Sequence, residues 1–162
     1  MTGKLPVPPL DHEFVPAVMF NRKYLASLKT EKGAVPLIVG LERENGLVSR
    51  CETVVRSAAE PETLLYAERM IKFMLWAYGG WKIHVGGPAA IGEHIRRCYA
   101  KGGARSFDAD LMSRAYEHPF EVVVTEARNV PARKMASSKI GGHLDGCRIG
   151  FDLGASDYKV AA

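Results

Sequence analysis

The chain has 162 residues, 47% of them apolar and 25% charged, an ordinary globular balance that fits one domain with a fragment of a second. Its net charge of +4 is dispersed, and no apolar stretch reaches membrane-spanning length, since the densest, 70–78, is interrupted by Lys72 and closed by Gly79-Gly80. Cys51, Cys98 and Cys147 are odd in number and far apart, which excludes a disulfide framework and reads as reduced cytoplasmic thiols.

The cysteines point to no metal centre. His12, His84, His94, His118 and His143 are read as showing no ligand spacing to one another or to a cysteine. No apolar run follows Lys4, so no signal peptide is expected.

Residues 1–15 read as a proline-rich lead. Phe20, Tyr24, Leu25 and Leu28 have helical spacing, so a short helix is expected within 16–32. Residues 35–55 read as a β-hairpin, two apolar runs joined through Asn45-Gly46, a pair that tolerates φ > 0 at both positions. Residues 61–78 form the clearest helix. Pro61 suits its first turn, Glu60 and Glu62 favour the positive end of the dipole, and Gly79-Gly80 ends it. Leu64, Ala67, Ile71, Met74, Leu75 and Tyr78 define its apolar face; Phe73 and Trp76 widen it, which predicts extensive burial.

A strand is expected over 81–85 and a helix from Pro88 to about Ala100, with Ile91, Ile95, Cys98 and Tyr99 as its stripe. A further helix covers 107–116, with Leu111, Met112, Ala115 and Tyr116 inward, and a strand follows over 120–125. The order hairpin, helix, strand, helix, helix, strand is an α/β pattern. Residues 127–146 carry Arg128, Arg133, Lys134 and Lys139. With Pro131, Ser137, Ser138, Gly141-Gly142 and no aromatic ring for base stacking, they read as a solvated basic linker, and nucleic acid is not expected as a partner. A strand over 147–153, a turn at 154–157 and a second strand from Tyr158 close the chain.

That last turn carries the chemistry. Converging backbone amides hold phosphate where small residues allow close approach, which Gly154 and Ala155 provide. Ser156 adds a hydroxyl. Asp152 precedes the turn and suits Mg²⁺, which prefers oxygen ligands and keeps several waters. The segment Ile149-Gly150-Phe151-Asp152-Leu153-Gly154-Ala155-Ser156 resembles the opening of actin-like ATPase domains, above all the ROK family (repressors, open reading frames and sugar kinases), whose kinase domain begins like Gly-Ile-Asp-Ile-Gly-Gly-Thr-Lys. Asp152 matches the aspartate, Gly154 and Ala155 the loop glycines and Ser156 the threonine. Asp157 stands where lysine is usual, a departure that bears on the kinase subtype.

Ile83-His84-Val85-Gly86-Gly87-Pro88 is similar to the adenosine-side strand–glycine–helix turn of the same superfamily. Gly86 and Gly87 are therefore secondary candidates for anion contact at a helix N-terminus. An ordinary strand-to-helix connector is the competing reading.

The resemblance implies an RNase H-like (actin-like ATPase) fold: an extension over 1–32, half of an actin-like lobe over 33–126, the basic linker over 127–146, and a truncated ROK-like kinase domain opening at 147–162. It implies ATP and Mg²⁺ as cofactors, nucleotide and sugar as partners of the full-length cytoplasmic protein, and leaves a homodimer open. The ROK catalytic aspartate lies well downstream of the first loop, so the fragment itself is expected to be inactive. A non-catalytic α/β binding or regulatory module is the alternative, and a ROK-type transcriptional regulator is weaker because no helix-turn-helix pattern precedes Val35.

His84, without a visible carboxylate partner, reads as a half-buried structural histidine. Glu42 and Glu44 read as parts of a solvated turn, and Trp76 and Trp81 as packing around a helix–strand junction rather than a sugar platform. Cys51 has no neighbouring histidine that would mark it as a nucleophile.

Overall fold

The computed structural model describes residues 9–12, 14–136 and 145–161. Helix α1 (Ala17–Leu28) sends Tyr24 and Leu28 into the core. The second half of the N-terminal extension is therefore part of the packed domain. Arg56 helps hold it there, donating to Glu31, Glu62 and the Ser27 hydroxyl while its guanidinium lies over the Tyr24 ring.

Strands β1 (Ala34–Glu42) and β2 (Val48–Arg56) form the expected antiparallel hairpin. Asn45 and Gly46 have φ of 59° and 64°, which is why this dipeptide stands at the turn. Helix α2 (Pro61–Tyr78) starts on Pro61 and ends at Gly79, whose φ is 70°. Strand β3 (Lys82–Gly86), helix α3 (Ala89–Tyr99), helix α4 (Ser106–Tyr116) and strand β4 (Glu121–Thr125) complete the unit.

The sheet has the order β2-β1-β3-β4. β1 is antiparallel to both neighbours and β3 is parallel to β4. A parallel pair needs a crossover, and α3 with α4 supplies it. The result is a mixed α/β domain with a four-stranded sheet. Leu37, Val39, Leu41, Val55, Ile83 and Val85 point from the sheet to the helices, as the period of two requires.

Two expectations about burial are corrected. Phe73 is 67% exposed and Trp76 and Tyr78 are about half exposed, although all three were expected inside. α2 packs on one face of one sheet, and no described layer covers its outer side. On α4, Leu111 and Ala115 are exposed, while Asp108, Ala109 and Met112 are buried. The inner stripe is displaced because Asp108 is turned inward, accepting from Trp76 Nε1 at 2.9 Å with Lys72 Nζ at 3.4 Å.

The first part of the expected linker is packed on the sheet, while its basic residues Arg128, Arg133 and Lys134 stay exposed. Residues 127–134 cross the sheet face opposite the helices. Val130 is buried, Arg50 donates to the Val130 and Pro131 carbonyls at 2.7 and 3.0 Å, and Val48 and Lys134 exchange backbone hydrogen bonds. Gly86 makes room for this strap: a Cβ there would meet Val130 Cγ2 at 2.4 Å and Ala127 Cα at 2.8 Å. Gly86→Ala should therefore cost about 1–3 kcal/mol by overpacking and speed tryptic cleavage at Arg128, Arg133 and Lys134. Trimming the strap in Gly86→Ala/Val130→Ala should recover part of the loss, read by urea unfolding.

Strands β5 (Gly150–Leu153) and β6 (Tyr158–Ala161) form a separate antiparallel hairpin, exposed throughout. The strand–turn–strand pattern expected there is present. Among the described residues, no helix is long and apolar enough to cross a membrane.

Candidate functional site

The β5–β6 register places Asp152 opposite Lys159 and brings Asp152, Gly154, Ala155 and Ser156 into one hairpin. The Gly154 amide donates to the Asp157 carbonyl at 2.8 Å and closes the turn. A Cβ on Gly154 would lie 2.8 Å from Asp157 Oδ1 and 2.9 Å from its carbonyl oxygen, so the closure itself requires glycine here. The Gly154 amide is thus already used, and Ala155 and Ser156 are left at the exposed tip. The Ser156 hydroxyl and the tip amides suit a phosphate oxygen, and Asp152 suits a hydrated Mg²⁺. The Asp157 carboxylate, folded against Gly154, opposes an anion where the ROK pattern has a cation. The turn fits a nucleotide phosphate in part.

Gly86 and Gly87 lie elsewhere, at the end of β3. Beside the strap that fills the space at Gly86, a Cβ on Gly87 would meet the Pro36 carbonyl oxygen at 2.9 Å. Close approach of this chain's own backbone and side chains accounts for both glycines.

His84 has a carboxylate partner after all: its Nε2 lies 3.1 Å from Glu42 Oε2. Both residues point to the strap side of adjacent strands, and their separation of 42 positions hid the pair from the sequence. Glu44 pairs with His118 at 3.3 Å, and the His118 ring stacks on Trp81 with centroids 4.4 Å apart. Trp76 instead serves Asp108, so the two tryptophans do not form one platform.

The densest chemistry lies between α2 and α3. Helical geometry puts His94 and Cys98, four residues apart on α3, on one face. This corrects the reading that no histidine stands at ligand spacing to a cysteine; the signal was local and visible. Glu68 approaches from α2. His94 Nε2 is 3.3 Å from Cys98 Sγ and 3.4 Å from Glu68 Oε2, and Cys98 Sγ is 3.7 Å from the same oxygen. Among the described residues, this is the group of three or more His, Cys, Asp or Glu side chains whose ligand atoms converge, and Asp152 belongs to no such group.

Arg105 caps the cluster, donating Nε to Glu68 Oε1 at 2.7 Å, with the other side of the guanidinium on the same oxygen. Its own amide donates to the Cys98 carbonyl at 2.8 Å, which fixes where the α3–α4 connection delivers the side chain. Burial pushes the Glu68 carboxyl up, but the hydrogen bond and charge of Arg105, with His94 and Cys98, outweigh it and hold the pKa below the ordinary 4.5. Burial, then the Glu68 charge, pushes the Cys98 thiol up. The neighbouring Tyr99 phenol is also pushed well up, by burial first and then by Asp108. Its buried hydroxyl has no hydrogen-bond partner among the described residues.

Comparison with protein-family models, with curated proteins and with solved structures returns no match.

Proposed function

We propose that this chain is the N-terminal portion of a ROK-like sugar kinase, with the β5–β6 hairpin as the first phosphate loop of the kinase domain. On this reading the domain before it is a diverged half of an RNase H-like, actin-type lobe. The observation that carries the proposal is the hairpin itself: a small-residue turn with a hydroxyl at its exposed tip and a carboxylate on the strand leading in. When bound, ATP with Mg²⁺ supplies the phosphoryl group. Asp152 would hold the ion through its waters, and Ser156 would donate to a phosphate oxygen. Asp157 weakens that contact by like charge. On this reading the protein works in the cytoplasm.

The alternative, a non-catalytic α/β binding or regulatory module, is favoured by one observation. The four-stranded unit has its own core and its own strap, and its core cluster draws on no residue of the hairpin.

The test begins with the intact mass of the native protein in its source cell. The kinase reading expects a mass well above the 17.8 kDa of this chain. That protein should then release ADP in a sugar-dependent way, and Asp152→Ala should lower the turnover by about 100-fold or more, the scale on which lost charge stabilisation acts. A native mass equal to that of this chain, or turnover untouched by Asp152→Ala, would replace the reading with the binding module.

A further inference from the structure

The geometry points to a transition-metal site, best suited to Zn²⁺, formed by Glu68 Oε2, His94 Nε2 and Cys98 Sγ between α2 and α3. It is independent of the kinase reading and of the hairpin.

Distances carry the argument. A tetrahedral Zn²⁺ lies about 2.3 Å from sulfur and about 2.0 Å from nitrogen or oxygen, which sets its ligand atoms about 3.3–3.6 Å apart. The separations here are 3.3, 3.4 and 3.7 Å. One ion can therefore reach all three atoms with only small side-chain adjustments. Two of the ligands sit on one helical face and the third on the helix packed against it, so the frame is rigid.

Proton counting points the same way. Nε2 is either a donor or an acceptor in the neutral ring, not both. If it accepts from the thiol, it cannot donate to Glu68. If it donates to Glu68, it cannot accept from the thiol. A cation bound to all three lone pairs satisfies every edge of the triangle at once.

The remaining features match what a metal needs. Arg105 takes Oε1 of Glu68 and leaves Oε2 directed at the site, the outer-shell support that orients a ligating carboxylate. A thiolate and a carboxylate together neutralise a divalent ion, and the Arg105 charge then lies one shell out. Sulfur and imidazole select Zn²⁺ over Mg²⁺ or Ca²⁺, which want oxygen. His94 and Glu68 side chains are 25% and 15% exposed, so the fourth position opens to solvent and takes a water. The site clamps α2 to α3 and leaves one exchangeable ligand.

The test is a Co²⁺ titration of the full chain, chelator-stripped and reduced, in a Cys51→Ser/Cys147→Ser background so that Cys98 is the sole thiol. The expected result is one ion per chain, a tetrahedral Co²⁺ visible spectrum with a thiolate charge-transfer band, and displacement by Zn²⁺. Cys98→Ser should abolish the band, and His94→Gln should weaken binding more than about 100-fold, beyond the roughly 10- to 100-fold cost of an outer-shell change such as Arg105→Lys. His94 is partly exposed, so His94→Gln should keep the far-ultraviolet circular dichroism of the parent and isolate ligation from folding. Absence of the band, or binding that survives either Cys98→Ser or His94→Gln unchanged, overturns the proposal.

Discussion

Replacing Ile95 with alanine will lower the stability of the α/β domain by about 3 kcal/mol, within the roughly 2–5 kcal/mol observed for truncating buried aliphatic side chains. Ile95 is 0% exposed and belongs to the same core as Ile71, Leu75 and Ile83. Its helix is held on both sides, by β3 before it and by α4 and β4 after it, as part of the right-length crossover between parallel strands. Such a helix cannot slide to refill the space, so a cavity term adds to the lost transfer energy. Urea unfolding should show a lower midpoint at unchanged slope. Phe73→Ala is the companion measurement. At 67% exposure it should change stability by no more than about 0.5 kcal/mol, despite removing a larger side chain. If Phe73→Ala costs as much as Ile95→Ala, the outer face of α2 is covered in solution and the one-sided packing described above is wrong.

Arg105→Leu will cost about 2–4 kcal/mol at neutral pH and will change the shape of the pH–stability curve. Removing one partner of a mostly buried ion pair strands the other charge, which is worse than lacking both. Glu68, 15% exposed, would be left with only His94 and Cys98 as its hydrogen-bond partners. The sign follows from its depressed pKa. In the parent chain, Glu68 contributes stability that is present above the ordinary value of 4.5 and lost as pH falls below it through the folded value. In Arg105→Leu the largest depressing cause is gone, and only the His94 and Cys98 hydrogen bonds still oppose burial, so the folded pKa rises and the variant loses less stability than the parent on acidification. Glu68→Gln/Arg105→Leu should be more stable than Arg105→Leu alone, because no charge is left unpaired. Unfolding midpoints of the three variants across the acid range decide the matter, and a variant curve parallel to the parent's would show that Arg105 does not govern Glu68.

The elements that were legible before folding are those with local causes. Asn45-Gly46 marks its turn because two successive residues need φ > 0. Pro61 and Gly79 bracket α2 because one lacks an amide that would be unpaired anyway and the other accepts a left-handed cap. The apolar stripe of α3 was read correctly, since both faces of that helix differ sharply in polarity. The strand–turn–strand at 150–161 was legible for the same reason, and the phosphate-loop proposal rests on its residue pattern.

What a segment lacked in local signal, the tertiary structure decided. Phe73 and Trp76 look like core by composition, but whether a helix is covered on one side or two depends on how many layers surround it. The strap looked like linker because its holding partners, Arg50 and Val48, lie 80 or more residues earlier. His84 found Glu42 through strand register, and Glu68 found His94, Cys98 and Arg105 through the packing of α2 against α3 and the path of the α3–α4 connection. By itself the sequence determined the element order, the turns and one edge of the Glu68–His94–Cys98 triangle, the helical His94–Cys98 spacing. The third corner, and the arginine that orients it, came only with folding, because side chains 26 to 37 residues apart meet through the packing of whole elements and not through any local period.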